Sequence, residues 1–356
     1  MINSLTSLRF FFAFIVFLSH VHLFGNTRSS LAKINLEYLN EGHLGVSFFF
    51  ILSGFILAYN YQDHFLTGKI SKQTFWINRI IRIYPLHLIT LILAAPLSLN
   101  GFRRETFYWF TKFFLNLSLV QSWFPNQTIF WSFNAPSWSI SNEFFFYFMF
   151  PFLILNVLTK KYSNTLFILF LTGIVLSINF VHKPELGEAM YNIHPLVRIS
   201  DFILGIFIYK VYKNIESKNI FTSFIKSSIY EISAIILLLF FYLYRHSIPI
   251  NYRFSSYYWI PMCITLLIFT FQKGIISKIL NLSIFIKLGE VSFSFYLIHM
   301  VVARYFNFFV DRFEFLKNDW ILVLLIFSIS ISLSFMSHYY LEKKISQKMK
   351  NYFEKF

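Results

Sequence analysis

Ten apolar runs, each near the roughly 20 residues that a helix needs to cross a bilayer, constrain this chain more than any other feature. They lie at about 5–24, 45–61, 77–99, 137–158, 164–182, 195–213, 229–245, 255–273, 284–309 and 319–341. The fold they predict is all-α, a polytopic transmembrane helical bundle in a single integral membrane domain over residues 1–356. An eleventh segment, 106–121, is interrupted by Lys112, Asn116 and Ser118. Loop charge arbitrates on it. The basic loops carry Lys69/Lys72, Lys160/Lys161, Lys210/Lys213/Lys218/Lys226 and Lys273/Lys278, and the tail carries Lys343/Lys344/Lys348/Lys350. All fall on the cytoplasmic side, as the positive-inside rule describes, only if 106–121 does not cross and instead lies in the interface or re-enters. Both termini are then cytoplasmic and 100–136 faces outward, with Arg103 and Arg104 as a local violation.

Composition agrees. Only 13% of residues are charged and 56% are apolar, against about 25% charged in a soluble domain. The formal charge of +15 is accounted for by membrane topology and points to no nucleic-acid partner. The one cysteine, Cys263, excludes an intramolecular disulfide and a Cys-based metal cluster. The first run has no small-residue cleavage site, so it is expected to be retained as a span. No Gly/Ser linker, internal repeat or appended soluble domain is evident.

The polar residues inside the runs carry the functional signal. In the first run the step from Arg9 to His20, taken as helix, turns about 1100° and rises about 16 Å, which puts both groups on one face half a bilayer apart. Intramembrane charge is tolerated mainly where it faces a bundle interior or a wet cavity, and that is the reading favoured here. Taken alone, an Arg9 snorkelling to the headgroups and an interfacial His20 fit the pattern equally well.

The second run carries Gly45, Ser53 and Gly54, small residues that let a neighbouring backbone approach. Close packing explains Ser53 better than a ligand role does. The third is entered through Arg79 and Arg82, on one face at i and i+3. Two guanidiniums so placed suit phosphate or carboxylate, and topogenic anchors fit the pattern as well. The fourth opens with Trp138, Ser139 and Ser141, the serines read as helix caps, and continues to Glu143 and Tyr147, which share a face. Arg198 and Asp201, three apart, are expected to pair. Tyr296 and His299 share a face of the ninth run and are expected to bond a neighbouring helix. His20 and His22 point to different faces, no H-E-x-x-H motif is present, and no metal is expected.

Taken together, Leu8-Arg9 with His20, Gly45-Val46 leading to Leu52-Ser53-Gly54-Phe55, Arg79 with Arg82-Ile83-Tyr84-Pro85, Trp138 with Ser139, Ser141, Glu143 and Tyr147, and Ser292 with Tyr296-Leu297-Ile298-His299 resemble the acyltransferase-3 family of integral membrane O-acyltransferases. The resemblance spans about 5–300. Phe144-Phe145 depart from it, since the family often has further polar residues there, so Glu143 is the carboxylate that the resemblance carries over.

The resemblance implies transfer of an acetyl or other acyl group from cytoplasmic acyl-CoA (acetyl-CoA) to a hydroxyl of a cell-surface or lipid-linked glycan, such as lipopolysaccharide O-antigen or capsule. It also implies a place in the bacterial inner membrane, in contact with membrane lipid. Many relatives carry an added extracytoplasmic domain, so this chain is expected to act alone or with a separate extracytoplasmic transfer partner.

On this reading His20 is the general base, with an ordinary pKa near 6.5 suited to the task, and Glu143 orients the imidazole. Arg9, Arg79 and Arg82 face the donor phosphates, while Ser53, Trp138, Tyr147, Tyr296 and His299 support substrate or structure. The rival reading is a transporter of a lipid-linked sugar or small molecule. Absence of internal repeat symmetry and of paired broken spans weighs against it.

Overall fold

The computed structural model describes residues 2–25, 29–159, 162–218, 221, 223–345 and 347, and every regular element among them is helical. The principal helices are α1 Asn3–Ser19, α2 Ser30–Tyr38, α3 Gly42–Leu66, α4 Lys72–Ala94, α5 Thr106–Leu117 and α6 Trp138–Thr159. They continue as α7 Ser163–Ile178, α8 Pro195–Glu216, α9 Phe224–Tyr244, α10 Trp259–Thr270, α11 Ser283–Phe309 and α12 Asp319–Met336. A π-helical turn, Ser337–Glu342, prolongs α12.

The chain is thus an all-α polytopic bundle. Among the described residues, seven helical segments are long and apolar enough to cross a membrane, and two more, Asn164–Ile178 and Ser256–Thr270, are shorter and apolar. The remaining apolar run, 195–213, is α8, 22 residues long. It is diluted by Arg198, Asp201, Lys210, Lys213 and Glu216.

Local signals explain where the helices start. Ser71 caps α4, its hydroxyl accepting from the Thr74 N–H, and Asn318 caps α12 through the N–H groups of Trp320 and Ile321. Pro195 opens α8, where its missing N–H would have had no helical partner. Because α4 begins at Lys72, Arg79 and Arg82 stand two to three turns inside it, deeper than the boundary position expected from the run at 77–99.

One end of the bundle gathers the start of α1 with the ends of its neighbours. The Ser4 hydroxyl donates to the Phe269 carbonyl at 2.6 Å and the Ser7 hydroxyl to the Leu280 carbonyl at 2.6 Å. The Ile275 N–H reaches the Ser228 hydroxyl at 3.0 Å, and Tyr59 of α3 meets Tyr212 of α8 with ring centroids 6.2 Å apart. The described basic residues of the α3–α4, α8–α9 and α10–α11 connections belong to this basic end. Lys160, Lys161, Lys348 and Lys350 lie outside the described residues.

Segment 106–121 does not form a span. Helix α5 has 12 residues, about 18 Å at 1.5 Å per residue, against a hydrocarbon core of about 30 Å. It lies against α4, where the Tyr84 hydroxyl donates to the Leu117 carbonyl at 3.0 Å and His87 Nε2 donates to the Asn116 carbonyl at 2.9 Å. Phe107 and Phe114 point outward, exposed.

Helices α3 and α8 make the closest approach. A β-carbon at Gly54 would stand 1.9 Å from the Phe202 carbonyl oxygen, and one at Gly205 would stand 1.9 Å from that of Ile51. The obstacles are backbone atoms, which cannot move aside as a flexible side chain can. Gly54→Val and Gly205→Val should each lose stability at or above the upper end of the roughly 1–3 kcal/mol typical of overpacking. Thermal unfolding in detergent reads the loss, and unchanged midpoints would mean that the two helices separate at little cost.

Candidate active site

A cavity of about 480 Å³ begins at the basic end and is walled by α1, α3, α4, α6 and α11. Arg9, Arg79, Arg82, Ser53, Glu143, Tyr147 and Tyr296 line it. The Arg79 Nη2 donates to the Tyr61 hydroxyl at 2.9 Å, and its guanidinium lies 5.4 Å from the Tyr61 ring centroid. Arg9 and Arg82 have no hydrogen-bond or ion-pair partner among the described residues. The Tyr147 hydroxyl donates to Glu143 Oε2 at 2.9 Å, with Ser53 against the same hydroxyl. Three guanidiniums therefore face one lining carboxylate. Unpaired cations in a partly dry cavity are costly, so the arrangement favours an anionic ligand, which planar guanidiniums hold through paired N–H donors.

The second cluster is a histidine pair toward the opposite end. His20 Nδ1 and His299 Nε2 are 3.1 Å apart, and His299 Nδ1 is 3.1 Å from the Phe295 carbonyl oxygen. A carbonyl only accepts, so His299 Nδ1 carries the hydrogen and its Nε2 carries a lone pair. That lone pair accepts from His20 Nδ1–H. His20 Nε2 is left with its own lone pair and no protein partner among the described residues. The two rings lie nearly parallel, with centroids 5.3 Å apart. His299 is fully buried, whereas His20 is half-buried. Tyr296, one helical turn before His299, joins the two clusters, lining the cavity while its ring lies 6.2 Å from that of His299.

The segment after His20 is anchored independently. His22 Nδ1 meets Asn35 Oδ1 at 3.0 Å, so His22 and His20 take different partners. Glu41, ahead of α3, receives Arg253, His43 at 2.8 Å and the Tyr258 hydroxyl at 3.0 Å. Burial opposes the Glu41 charge, but these donors hold its carboxyl below the usual range.

Several expectations change. Glu143 was expected beside His20; the structure places it with Tyr147 and the three guanidiniums, while the partner of His20 is His299. His20, His299 and Trp138 are not among the described residues that wall the cavity. Trp138 is 3% exposed and packs edge-on against Phe50 and Trp131, a packing role. Ser139 and Ser141 do not cap α6. The Ser139 hydroxyl lies 2.9 Å from both the Pro136 carbonyl and the Tyr296 hydroxyl, and the Ser141 hydroxyl donates to the Leu119 carbonyl at 2.6 Å. A 3-10 turn, Ala135–Ser137, already leads into the helix, so the serines stitch it to its neighbours.

Tyr296 and His299 do bond neighbouring elements, as expected. Arg198 and Asp201 pair at 3.0 Å. Two residues escaped the sequence reading. Tyr61 carries no charge and its position marks nothing. Glu342, which accepts from Ser294 and lies near Arg9 and Arg82, follows the apolar run and directly precedes the basic tail; its i, i+4 spacing from His338 is the available signal.

Comparison with known proteins agrees with this architecture. The acyltransferase domain of the acyltransferase-3 family matches residues 2–339. The acyltransferase MdmB of Streptomyces mycarofaciens is 31% identical over 328 residues, covering 85% of this chain and 79% of its own length. A putative O-acetyltransferase of Staphylococcus aureus strain COL is 23% identical over 308 residues, 78% of this chain and 49% of that protein, so the chain spans about half the length of that relative. O-acetyltransferase OatA of S. aureus is 28% identical over 167 residues, 42% of this chain and 27% of its own. No solved structure matches. By a domain match that runs through nearly all of its helices, the chain belongs to the acyltransferase-3 family.

Proposed function

We propose that this membrane acyltransferase moves an acetyl or other acyl group from acyl-CoA to a hydroxyl of a cell-surface or lipid-linked glycan, of the lipopolysaccharide O-antigen or capsule kind. In this reading the protein sits in the bacterial inner membrane with the basic end and both termini in the cytoplasm, and it works alone or with a separate extracytoplasmic partner. The observation that carries the donor assignment is the cavity, in which Arg9, Arg79 and Arg82 face Glu143 and two of the guanidiniums have no partner among the described residues. Coenzyme A phosphates supply the matching charge.

With the phosphates held there, the acyl arm extends past Tyr296 toward the histidine pair. The acceptor hydroxyl comes from the opposite end. As its oxygen attacks the thioester carbonyl carbon, His20 Nε2 takes its proton. The carbon–sulfur bond then breaks, and the leaving sulfur recovers the proton from His20. His299 accepts the hydrogen bond from Nδ1 throughout, which keeps Nε2 in the basic form before attack and steadies the imidazolium after it. Glu143 serves as counter-ion to the guanidiniums and holds Tyr147.

Purified protein given acetyl-CoA and glycan should release free thiol. Arg82→Ala should weaken donor binding by roughly 10- to 100-fold, hydrogen bonds to charged groups being worth about 1.5–3 kcal/mol. Arg82→Lys should recover only part of this, because an ammonium lacks the bidentate fork. Unchanged donor affinity in both Arg79→Ala and Arg82→Ala would reduce the pair to topological anchors.

A further inference from the structure

A second cavity, of about 270 Å³, adjoins the first at the basic end, and Ile2 and Tyr59 wall both. Its remaining walls include Tyr212, Glu216, Gln272 and Lys273. This volume is below the roughly 300–1,000 Å³ of a complete small-molecule pocket, and shared walls make it an extension of the arginine cavity. We infer that it is the nucleoside subsite of the acyl donor, taking the adenine base while Lys273 meets the phosphate on the adenosine ribose. The inference rests on the donor assignment above.

The chemistry of the walls separates base from phosphate. Tyr59 and Tyr212 offer aromatic faces, and their rings stand 6.2 Å apart at 53°. Tyr59 also packs against Phe55 and Tyr209 yet is 39% exposed although it belongs to a span, so part of its ring is accessible to a base. Glu216, which accepts from the Tyr212 hydroxyl, repels a phosphate but accepts from an exocyclic amino group such as that of adenine. The pyrophosphate is thereby left to the guanidiniums of the first cavity. Gln272 Oε1 accepts from the Ser4 N–H at 3.3 Å, which leaves its NH₂ group for a ring nitrogen.

The backbone at Gln272 is in the left-handed region, with φ 54°. That conformation is uncommon for a residue with a β-carbon, and such strain concentrates at ligand sites. The following residue, Lys273, is an exposed cation with no ion-pair partner among the described residues. It stands at the rim, where a phosphate remains solvated.

Binding of three donors to the full-length protein tests the assignment: acetyl-CoA, acetyl-dephospho-CoA, which lacks the ribose phosphate, and S-acetylpantetheine 4′-diphosphate, which keeps the pyrophosphate and lacks the adenosine together with its ribose phosphate. Wild type should bind acetyl-dephospho-CoA roughly 5- to 100-fold more tightly than the adenosine-free donor, the range expected from stacking one base on an aromatic ring. Gln272→Ala should weaken acetyl-CoA and leave the adenosine-free donor unchanged, while Tyr59→Ala, at a residue that walls both cavities, should weaken acetyl-CoA more than the adenosine-free donor, with Tyr59→Phe restoring affinity. Gln272→Ala keeps a β-carbon and so adds no new backbone strain. Lys273→Gln should abolish only the preference for acetyl-CoA over its dephospho form.

Equal affinity of wild type for the donors with and without adenosine overturns the subsite, as does equal weakening of all three donors in folded Tyr59→Ala and Gln272→Ala. A wild-type protein that binds none of the three overturns the donor assignment itself, and the subsite falls with it. Binding of the adenosine-free donor separates these failures.

Discussion

Replacing His20 by alanine is expected to lower acyl transfer by roughly 10²–10⁴-fold, the range for losing general acid–base catalysis, while the protein inserts and folds. Removing a polar group from a span should not cost insertion energy, and the bond lost is the single one to His299 at 3.1 Å. Two further variants isolate the tautomer argument. His299→Ala removes the acceptor that keeps the hydrogen on His20 Nδ1, so activity should fall, though less than in His20→Ala. His299→Gln places an amide oxygen where it accepts the same bond and should recover part of the loss. His22→Ala is the control: His22 bonds Asn35, away from the pair, and most activity should remain. Initial rates of thiol release on monodisperse protein decide the matter. Near wild-type turnover in His20→Ala, or equal losses in His20→Ala and His22→Ala, would return His20 to an interfacial role.

The largest loss of stability is expected from Asp201→Ala. Asp201 Oδ2 meets Arg198 Nη2 at 3.0 Å with both side chains fully buried, and its Oδ1 accepts from Trp259 Nε1 at 2.5 Å. Arg198 also donates to the Phe254 carbonyl at 2.5 Å and the Ser47 hydroxyl at 2.8 Å, joining α8 to α3 and to the loop before α10. Removing the carboxylate strands a guanidinium in a dry interior, which costs about 3–5 kcal/mol. Replacing both partners by apolar residues, as in Arg198→Met with Asp201→Leu, removes the stranded charge and should restore much of that loss. Unfolding of the two variants in one detergent compares them directly. A double variant no more stable than Asp201→Ala would show that the hydrogen bonds of Arg198, rather than charge balance, hold this corner.

Sequence by itself determined what depends on distance along the chain. Apolar runs set the helices and the membrane class, because a backbone in lipid must satisfy its own hydrogen bonds. Pairs within one helix were legible for the same reason: Arg198 with Asp201 and Tyr147 with Glu143 follow from 3.6 residues per turn. For 106–121 the polar interruptions and loop charges pointed away from a crossing without deciding it, and the 12-residue length of α5 came from the structure.

What only the tertiary structure decided is which helix faces which. His20 and His299 are 279 positions apart, and periodicity orients each about its own axis without naming a partner. In lipid the apolar faces of neighbouring helices are nearly interchangeable, so close packing and a few polar contacts choose the neighbours. The Gly54–Gly205 crossing, the α6 serines bonded to other elements and Glu143 among three arginines are choices of that kind. Each depends on the shape of an opposing surface that exists only once the helices have assembled.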